Sequence, residues 1–128
     1  YGRTYPKERI RIRNFISEIS KDKIVLLATH VVSDVEYISK EIIFMKAGKV
    51  IRHGTPGELL HDMEHHVFEV LVTAEEQVFY ETHGFKTANI MLSSSGVCLR
   101  IVSDERPTVG EVREVRPNLE DVYLYLVE

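Results

Sequence analysis

The clearest pattern along the chain is a short apolar run at residues 24–28 (IVLLA), which has the length of a strand and no polar alternation. Such runs are typical of strands covered on both faces of a parallel α/β sheet. His30 lies just beyond the carboxyl end of this run, at the edge where open α/β sheets bind ligands. Ser33 and Glu36 have the spacing of a capping box and predict a helix over residues 33–39. The pattern therefore predicts a histidine at a strand tip.

Amphipathic elements flank this predicted strand on both sides. Residues 7–20 are predicted to form a helix. Its apolar positions recur at helical spacing and are Ile12, Phe15, Ile16 and Ile19. Residues 41–45 and 49–53 surround a glycine turn and predict a β-hairpin. A Thr-Pro pair that begins at Thr55 predicts the start of a further helix, which we expect to end near His65.

From residue 67 onward, short strands and turns alternate with two helices. We expect a β-α-β-β-β-α order, which indicates a small ferredoxin-like α+β unit. Gly84 closes the first of its helices, and Asn118 caps the second. The predicted elements are a strand at 67–73, a helix at 74–83, strands at 87–92, 96–102 and 109–115, and a helix from 119 onward. The sequence thus divides into two predicted domains, residues 1–66 and 67–128.

Composition and charge narrow the classes of function. The chain has 128 residues and a formal net charge of −4, which does not favour a nucleic-acid partner. A local basic cluster at Lys7, Arg9, Arg11 and Arg13 is a solvated helix face or, as an alternative, a contact for phosphate or lipid. The one cysteine, Cys98, lies in an apolar run and is interpreted as a core thiol. No apolar run is long enough to cross a bilayer, so we expect a cytoplasmic setting.

Two other groups of residues raise the question of chemistry. His61, His65 and His66 are close in sequence, and the first two have the i, i+4 spacing that can bind zinc. A zinc site also needs a third or fourth ligand, and the neighbouring acidic residues point elsewhere on a helix, so we predict no biological metal site. Asp34 and Glu36 could form a catalytic pair, but carboxylates in a first helical turn are favoured by the helix dipole. Capping is the preferred interpretation of that pair.

Residues 26–60, LLATHVVSDVEYISKEIIFMKAGKVIRHGTPGELL, closely resemble a region of the ATP-binding subunits of ABC transporters. In that family the catalytic carboxylates are followed by a strand ending in Ser/Thr-His, an acidic helix, a hairpin with a glycine turn between basic residues, and a Gly-Thr-Pro helix start. Residues 116–126, RPNLEDVYLYL, resemble the closing helix of the C-terminal extension in the drug- and antibiotic-export branch. The resemblance implies an α/β fragment of an ABC ATPase core followed by the small α+β domain.

The resemblance gives His30 a role. It matches the switch-loop histidine, which in the family hydrogen-bonds the γ-phosphate of ATP and the attacking water. A neutral imidazole suits this task because it offers one donor and one acceptor. Without the resemblance, a strand-end histidine bonded to a backbone carbonyl is the simpler interpretation. Pro6 matches the proline after the D-loop aspartate, but Tyr5 stands where that aspartate would be, so no D-loop role is assigned.

The other motifs of an ABC ATPase are missing from these 128 residues. There is no G-x-x-x-x-G-K-[ST] phosphate loop, which would hold the phosphates of ATP, and no Walker B, glutamine-loop or signature motif. Phosphoryl transfer depends on positioning and charge stabilisation, which one histidine does not supply. We therefore expect a C-terminal piece of a longer parent protein that binds ATP and Mg²⁺, and no ATP hydrolysis or cofactor binding by this chain alone.

The resemblance also implies partners, namely a transporter membrane subunit and a second nucleotide-binding domain, at the inner face of the cell membrane. The resemblance of residues 116–126 to the drug- and antibiotic-export branch favours export as the direction of transport. The alternative is a stand-alone regulatory or partner-binding module. We also expect that the isolated chain forms a homodimer by exchanging the 7–20 helix or the central strand, because the strand at 24–28 would otherwise expose a free edge.

Overall fold

The computed structural model describes residues 6–22, 24 and 38–127. These residues form four helices and six strands, which are numbered in chain order. The helices are α1 (Pro6–Ile19), α2 (Pro56–Asp62), α3 (Ala74–Thr82) and α4 (Leu119–Val127). The strands are β1 (Ile42–Lys46), β2 (Lys49–Gly54), β3 (Val67–Val72), β4 (Lys86–Ser93), β5 (Gly96–Val102) and β6 (Glu111–Glu114).

The predicted hairpin is present as the antiparallel pair β1 and β2. Its turn has positive φ at both central residues, 51° at Ala47 and 77° at Gly48, as a type I′ hairpin turn requires. The hairpin leads directly into α2, whose first turn is capped by the Thr55 hydroxyl, 3.2 Å from the Glu58 amide that donates to it. This helix ends at Asp62, three residues before the predicted end.

Strands β3 to β6 form one antiparallel sheet in the order β4-β5-β3-β6. The central pair of strands has a regular register, with Val67 opposite Val102 and Val70 opposite Leu99. The strand predicted at residues 67–73 is confirmed as β3. Its side chains are buried on both faces of the sheet, because successive residues of a strand point to opposite sides. The element order is the predicted β-α-β-β-β-α order.

The connection between β5 and β6 differs from that of a ferredoxin-like unit, which has a helix between its third and fourth strands. Here residues 103–110 cross the sheet without a helix, and α4 follows β6 instead. The Tyr80 hydroxyl on α3 donates to the Val109 carbonyl at 2.6 Å, and the Arg106 guanidinium lies 5.8 Å from the centre of the Phe68 ring. The loop therefore covers the same face of the sheet as α3.

Two core clusters lie on opposite faces of this sheet. Cluster 1 lies on the face covered by α4 and consists of Phe44, Leu59, Met63, Val67, Val102, Leu119 and Val122. Cluster 2 lies on the face covered by α3 and consists of Val70, Val72, Tyr80, Leu99 and Ile101. The side-chain alternation of β3 and β5 explains this division, because neighbouring residues on one strand point to opposite faces. Each face has its own helix.

Cluster 1 joins residues from both predicted domains. Phe44 of the hairpin and Leu59 of α2 pack with Leu119 and Val122 of α4, and the rings of Phe44 and Tyr123 lie 6.2 Å apart. The division at residues 66 and 67 stays a prediction. It separates two segments that share a buried cluster.

The predicted helix at the start of the chain is confirmed as α1. Of its predicted apolar stripe, Ile12 and Phe15 are exposed, Phe15 at 64%, whereas Ile16 and Ile19 are half-buried. The predicted strand at 24–28, with the exception of Ile24, lies outside the described residues, and so does most of the predicted helix at 33–39. Within the described parts of the chain, no helix combines the length and the apolar character that a bilayer-spanning segment needs.

Candidate functional site

The site residue predicted from the sequence, His30, lies outside the described residues, as do Asp34 and Glu36. Pro6 is the first residue of α1. The basic cluster lies on the same helix, where Lys7 and Arg11 are exposed and Arg9 and Arg13 are half-buried. The switch role of His30 therefore stays a prediction, and the described residues contribute two other groups of polar side chains.

The first group lines a shallow groove between α2 and the segment that links β6 to α4. Residues that line it include His61, Glu64, His65, Glu114 and Arg116. The His65 Nδ1 atom lies 3.0 Å from a carboxylate oxygen of Glu114. His65 has a left-handed backbone with φ of 71° and lies in the turn after α2. Its ring faces Glu114 at the end of β6.

The three neighbouring histidines have different partners. His61 lies 3.8 Å from Glu64, whereas His66 lies 3.3 Å from the Ser103 carbonyl oxygen. Within residues 6–22, 24 and 38–127, no three His, Cys, Asp or Glu side chains are grouped so that they could hold a metal ion. Since α2 ends at Asp62, the i, i+4 spacing of His61 and His65 does not lie within one helix. The groove is an open surface with a few exposed ion pairs.

The second group is a buried ion pair that joins α4 to the sheet. Asp121 is fully buried, and its two carboxylate oxygens accept hydrogen bonds from Arg100 at 3.0 Å and 2.8 Å. Asp121 also accepts a hydrogen bond from the Asn118 amide at 2.8 Å. The Asn118 side chain accepts one in return from the Asp121 amide at 2.9 Å. The predicted Asn118 cap is thus confirmed, as part of a reciprocal capping box.

Arg100 has further acceptors around the same position. Its guanidinium donates to the Arg116 carbonyl at 2.7 Å and lies 3.8 Å from Glu69. The hydrogen bonds to Asp121 raise the pKa of Arg100 above its ordinary value, against the opposing effect of partial burial. Among the described residues, every buried side-chain polar atom has a hydrogen-bond partner. The ion pair is therefore satisfied within the fold, and it fixes α4 without offering a free group for catalysis.

The sequence interpretation missed this ion pair. Arg100 and Asp121 are 21 residues apart, and no local spacing rule connects a strand arginine to a helix carboxylate at that distance. The signal that was present is a charged residue within an apolar strand, because Arg100 interrupts the run of β5. A charge at such a position needs a partner from another element.

Cys98 and Tyr80 carry a thiol and a phenol, which are nucleophiles when they are deprotonated. Burial raises the pKa of the Cys98 thiol, and the negative charge of Glu69 adds to this shift. A raised pKa keeps a thiol protonated and unreactive, which agrees with the interpretation of Cys98 as a packing residue. The Tyr80 hydroxyl is engaged by the Val109 carbonyl. Within the part of the chain that the structure describes, neither residue is hydrogen-bonded to a base that could activate it as a nucleophile.

No family model matches the chain. The chain is 25% identical over 134 residues to the uncharacterised ABC transporter ATP-binding protein YxlF of Bacillus subtilis. This similarity covers 95% of the chain and 45% of the relative's length. It supports a relationship to part of an ABC ATPase without distinguishing a branch of that family.

Proposed function

We propose that the chain is the C-terminal part of the ATP-binding subunit of an ABC transporter. The observation that carries this proposal is the similarity to one such protein, which extends over 95% of the chain and 45% of that relative. The motif in residues 26–60 also supports it, because the sequence there predicts a strand ending in Thr-His, followed by a hairpin and a Thr-Pro helix start, in the order that the family has.

The described structure supports two parts of this proposal. The segment that resembles the family's hairpin forms β1 and β2 around Ala47-Gly48, and the Thr55-Pro56 start caps α2 as the pattern requires. Tyr123 and Leu124 of the closing helix are among the residues that pack against the cluster containing Phe44 and Leu59. A C-terminal extension that folds back onto the ATPase portion would make contacts of this kind.

In the parent protein His30 would act as the switch histidine at the γ-phosphate. The sequence contains no G-x-x-x-x-G-K-[ST] loop, which in the family would hold the phosphates of ATP. We therefore infer that the nucleotide would be held by parts of the parent protein outside this chain. The isolated chain is expected not to hydrolyse ATP.

The same proposal assigns partners and a location. The parent subunit would pair with a second nucleotide-binding domain and with a transporter membrane subunit, at the cytoplasmic face of the membrane. The resemblance of residues 116–126 to the drug- and antibiotic-export branch favours export as the direction of transport. In this arrangement residues 67–128 serve a structural or regulatory role.

The first test is the coding sequence upstream of Tyr1 in the source genome. We expect a G-x-x-x-x-G-K-[ST] loop roughly 140–160 residues before His30, the spacing that the resemblance implies. A start codon directly upstream, or an unrelated upstream sequence, would contradict the proposal. Either result would favour a partner-binding module in its place.

The second test is the ATPase activity of the complete subunit with His30→Ala. We expect turnover to fall by about 100-fold or more, while ATP binding, measured by fluorescence of a labelled nucleotide, is retained. His53→Ala is the matched control, because His53 is an exposed histidine on β2 whose ring contacts Glu41. Equal activity of both variants would remove His30 from the proposed site.

A further inference from the structure

The two edges of the four-stranded sheet differ in length and charge. The β6 edge has four residues, Glu-Val-Arg-Glu, with exposed charges. The β4 edge has eight residues and carries no charge after Lys86. Its outer half exposes three successive apolar side chains, at 55% for Ile90, 53% for Met91 and 82% for Leu92. Charges and short length protect sheet edges from pairing with another chain, and β4 is twice as long as β6 and uncharged over residues 87–93.

The hairpin geometry shows which backbone groups of β4 point outward. Ser93 pairs with Gly96 across a two-residue turn, and such a closing pair exchanges its hydrogen bonds inward. Because the direction of the backbone groups alternates along a strand, those of Leu92 and Ile90 point away from β5. The Ile90 amide accordingly donates to the Asn89 side chain at 3.0 Å. Within the described residues, the outer side of β4 has no neighbouring strand.

We propose that β4 is a dimerisation edge, which pairs antiparallel with β4 of a second copy of this chain. The two-fold axis would pass through Met91, so that Ile90 of one copy lies opposite Leu92 of the other and the two Met91 side chains meet. Two four-stranded sheets would then form one continuous eight-stranded sheet.

A second copy fits this edge because the segment is compatible with itself. Residues 87–93 (TANIMLS) contain no charged side chain, so antiparallel self-pairing places no like charges opposite each other. The Leu92 amide and the carbonyls of Ile90 and Leu92 point outward about the axis, and the Ile90 amide would exchange its Asn89 acceptor for the Leu92 carbonyl of the second copy, which completes the matched set that an isologous interface requires. Ile90 and Leu92 lie on the sheet face of α3, because Ile90 pairs with the cluster 2 residue Leu99. This inference does not depend on the proposed transporter function.

The first experiment measures the mass of the 128-residue chain by sedimentation equilibrium over a concentration series, with three variants. Leu92→Pro removes an outward amide without removing a bond to β5. Met91→Lys places two ammonium groups opposite each other on the axis. Val78→Lys is the control, because Val78 lies on α3 and has a similar exposure of 54%.

We expect a concentration-dependent dimer for the unmodified chain and for Val78→Lys. The dissociation constant should rise more than about 10-fold in Leu92→Pro and in Met91→Lys, with the far-ultraviolet circular dichroism unchanged. A monomer at every concentration would overturn the proposal. A dimer that persists in both β4 variants would also overturn it, and would favour association by exchange of the helix at the start of the chain.

The second experiment tests the register by oxidation to a disulfide in a Cys98→Ser background. Met91→Cys places two cysteines across the axis, where directly opposite strand residues are close enough to be bridged. Asn89→Cys is the matched control, because the two copies of that position would lie about 13 Å apart, too far for a disulfide. We expect rapid cross-linking of the first variant only. Equal cross-linking of both, or of neither, would contradict this register.

Discussion

At the scale of single residues, the most consequential contact is the one between Arg100 and Asp121. Arg100 lies on β5, Asp121 lies in the first turn of α4, and Glu69 on β3 is within 3.8 Å of the same guanidinium. Removing Asp121 would leave the Arg100 guanidinium with only the longer contact to Glu69 as a charged partner, and breaking a buried pair in this way costs more than the pair itself contributes. The position of α4 against the sheet therefore depends on both members being present.

We predict that Asp121→Ala lowers the free energy of unfolding by about 3 kcal/mol, as measured by urea denaturation. The matched control is Arg113→Ala, which removes an exposed partner of Glu69 and should cost less than about 1 kcal/mol. Replacing both Arg100 and Asp121 with apolar residues of similar size should recover much of the loss, because no unpaired charge would remain. Similar losses for Asp121→Ala and Arg113→Ala would contradict this role of the buried pair.

Tyr80 gives a prediction for alkaline pH. Burial raises the pKa of its phenol above the ordinary value of 10.0, and the charge of Glu76 adds to this shift. Above pH 10 the unfolded chain therefore binds fewer protons than the folded protein, so the stability contributed by Tyr80 falls as the pH rises. We expect Tyr80→Phe to cost about 1 kcal/mol at pH 8, through the lost hydrogen bond to Val109.

The difference in unfolding free energy between the unmodified chain and Tyr80→Phe should shrink when urea denaturation is repeated at pH 10 to 11. The variant retains every other group that titrates in this range, so the comparison isolates the phenol. A difference that stays constant from pH 8 to pH 11 would show that the folded state does not hold the Tyr80 proton more tightly than the unfolded chain does.

At the scale of elements, the loop at residues 103–110 requires a glycine at its end. Gly110 has φ of 84°, and a Cβ at this position would lie 2.7 Å from the Leu71 carbonyl oxygen. Gly84 has a similar φ of 73°, but a Cβ there would meet nothing within 4 Å. The two glycines therefore separate the cost of a left-handed backbone from the cost of a steric clash.

We predict that Gly84→Ala costs about 1 kcal/mol, because only the backbone preference is lost. Gly110→Ala should cost about 3 kcal/mol, since the clash with β3 is added to the same backbone penalty. Thermal unfolding followed by circular dichroism would measure both. Equal costs would indicate that the crossing loop moves away from β3 without loss of packing.

Most elements of the described region could be predicted from the sequence because their signals are local. Thr55 caps the start of α2, Gly84 supplies the left-handed residue that follows α3, and the alternation at residues 67–72 indicates β3. The loop that crosses the face of α3 could not be predicted in this way. Its path is fixed by contacts with distant residues, such as the hydrogen bond from Tyr80 to Val109.

The candidate site shows the same limit. His30 was identified through a local pattern of neighbouring residues. Arg100 and Asp121 lie on β5 and α4, which are neighbours only because of the order in which the chain folds. That order also decides which face of the sheet α4 covers, since the apolar spacing of α4 does not specify a face.

At the scale of the whole molecule, cluster 1 couples the segment that resembles an ABC ATPase to the four-stranded sheet. Leu59 of α2 is almost completely buried there and packs in one cluster with Val67, Leu119 and Val122. In contrast, cluster 2 is built entirely from residues of β3, β5 and α3. Cluster 1 therefore joins residues from both sides of the division predicted at residues 66 and 67, whereas the buried residues of cluster 2 all lie after it.

We predict that Leu59→Ala lowers the stability of the hairpin and of the four-stranded sheet together, by about 3 kcal/mol, because the cavity opens in a cluster that both share. Hydrogen exchange monitored separately on peptides from 42–54 and 67–72 should show the same loss of protection. Leu60→Ala, on the same helix but only half-buried, is the matched control and should cost less. If the hairpin instead lost protection while the sheet kept it, the two segments would be independent folding units, and the contact of α4 with the hairpin would be a docking surface between domains.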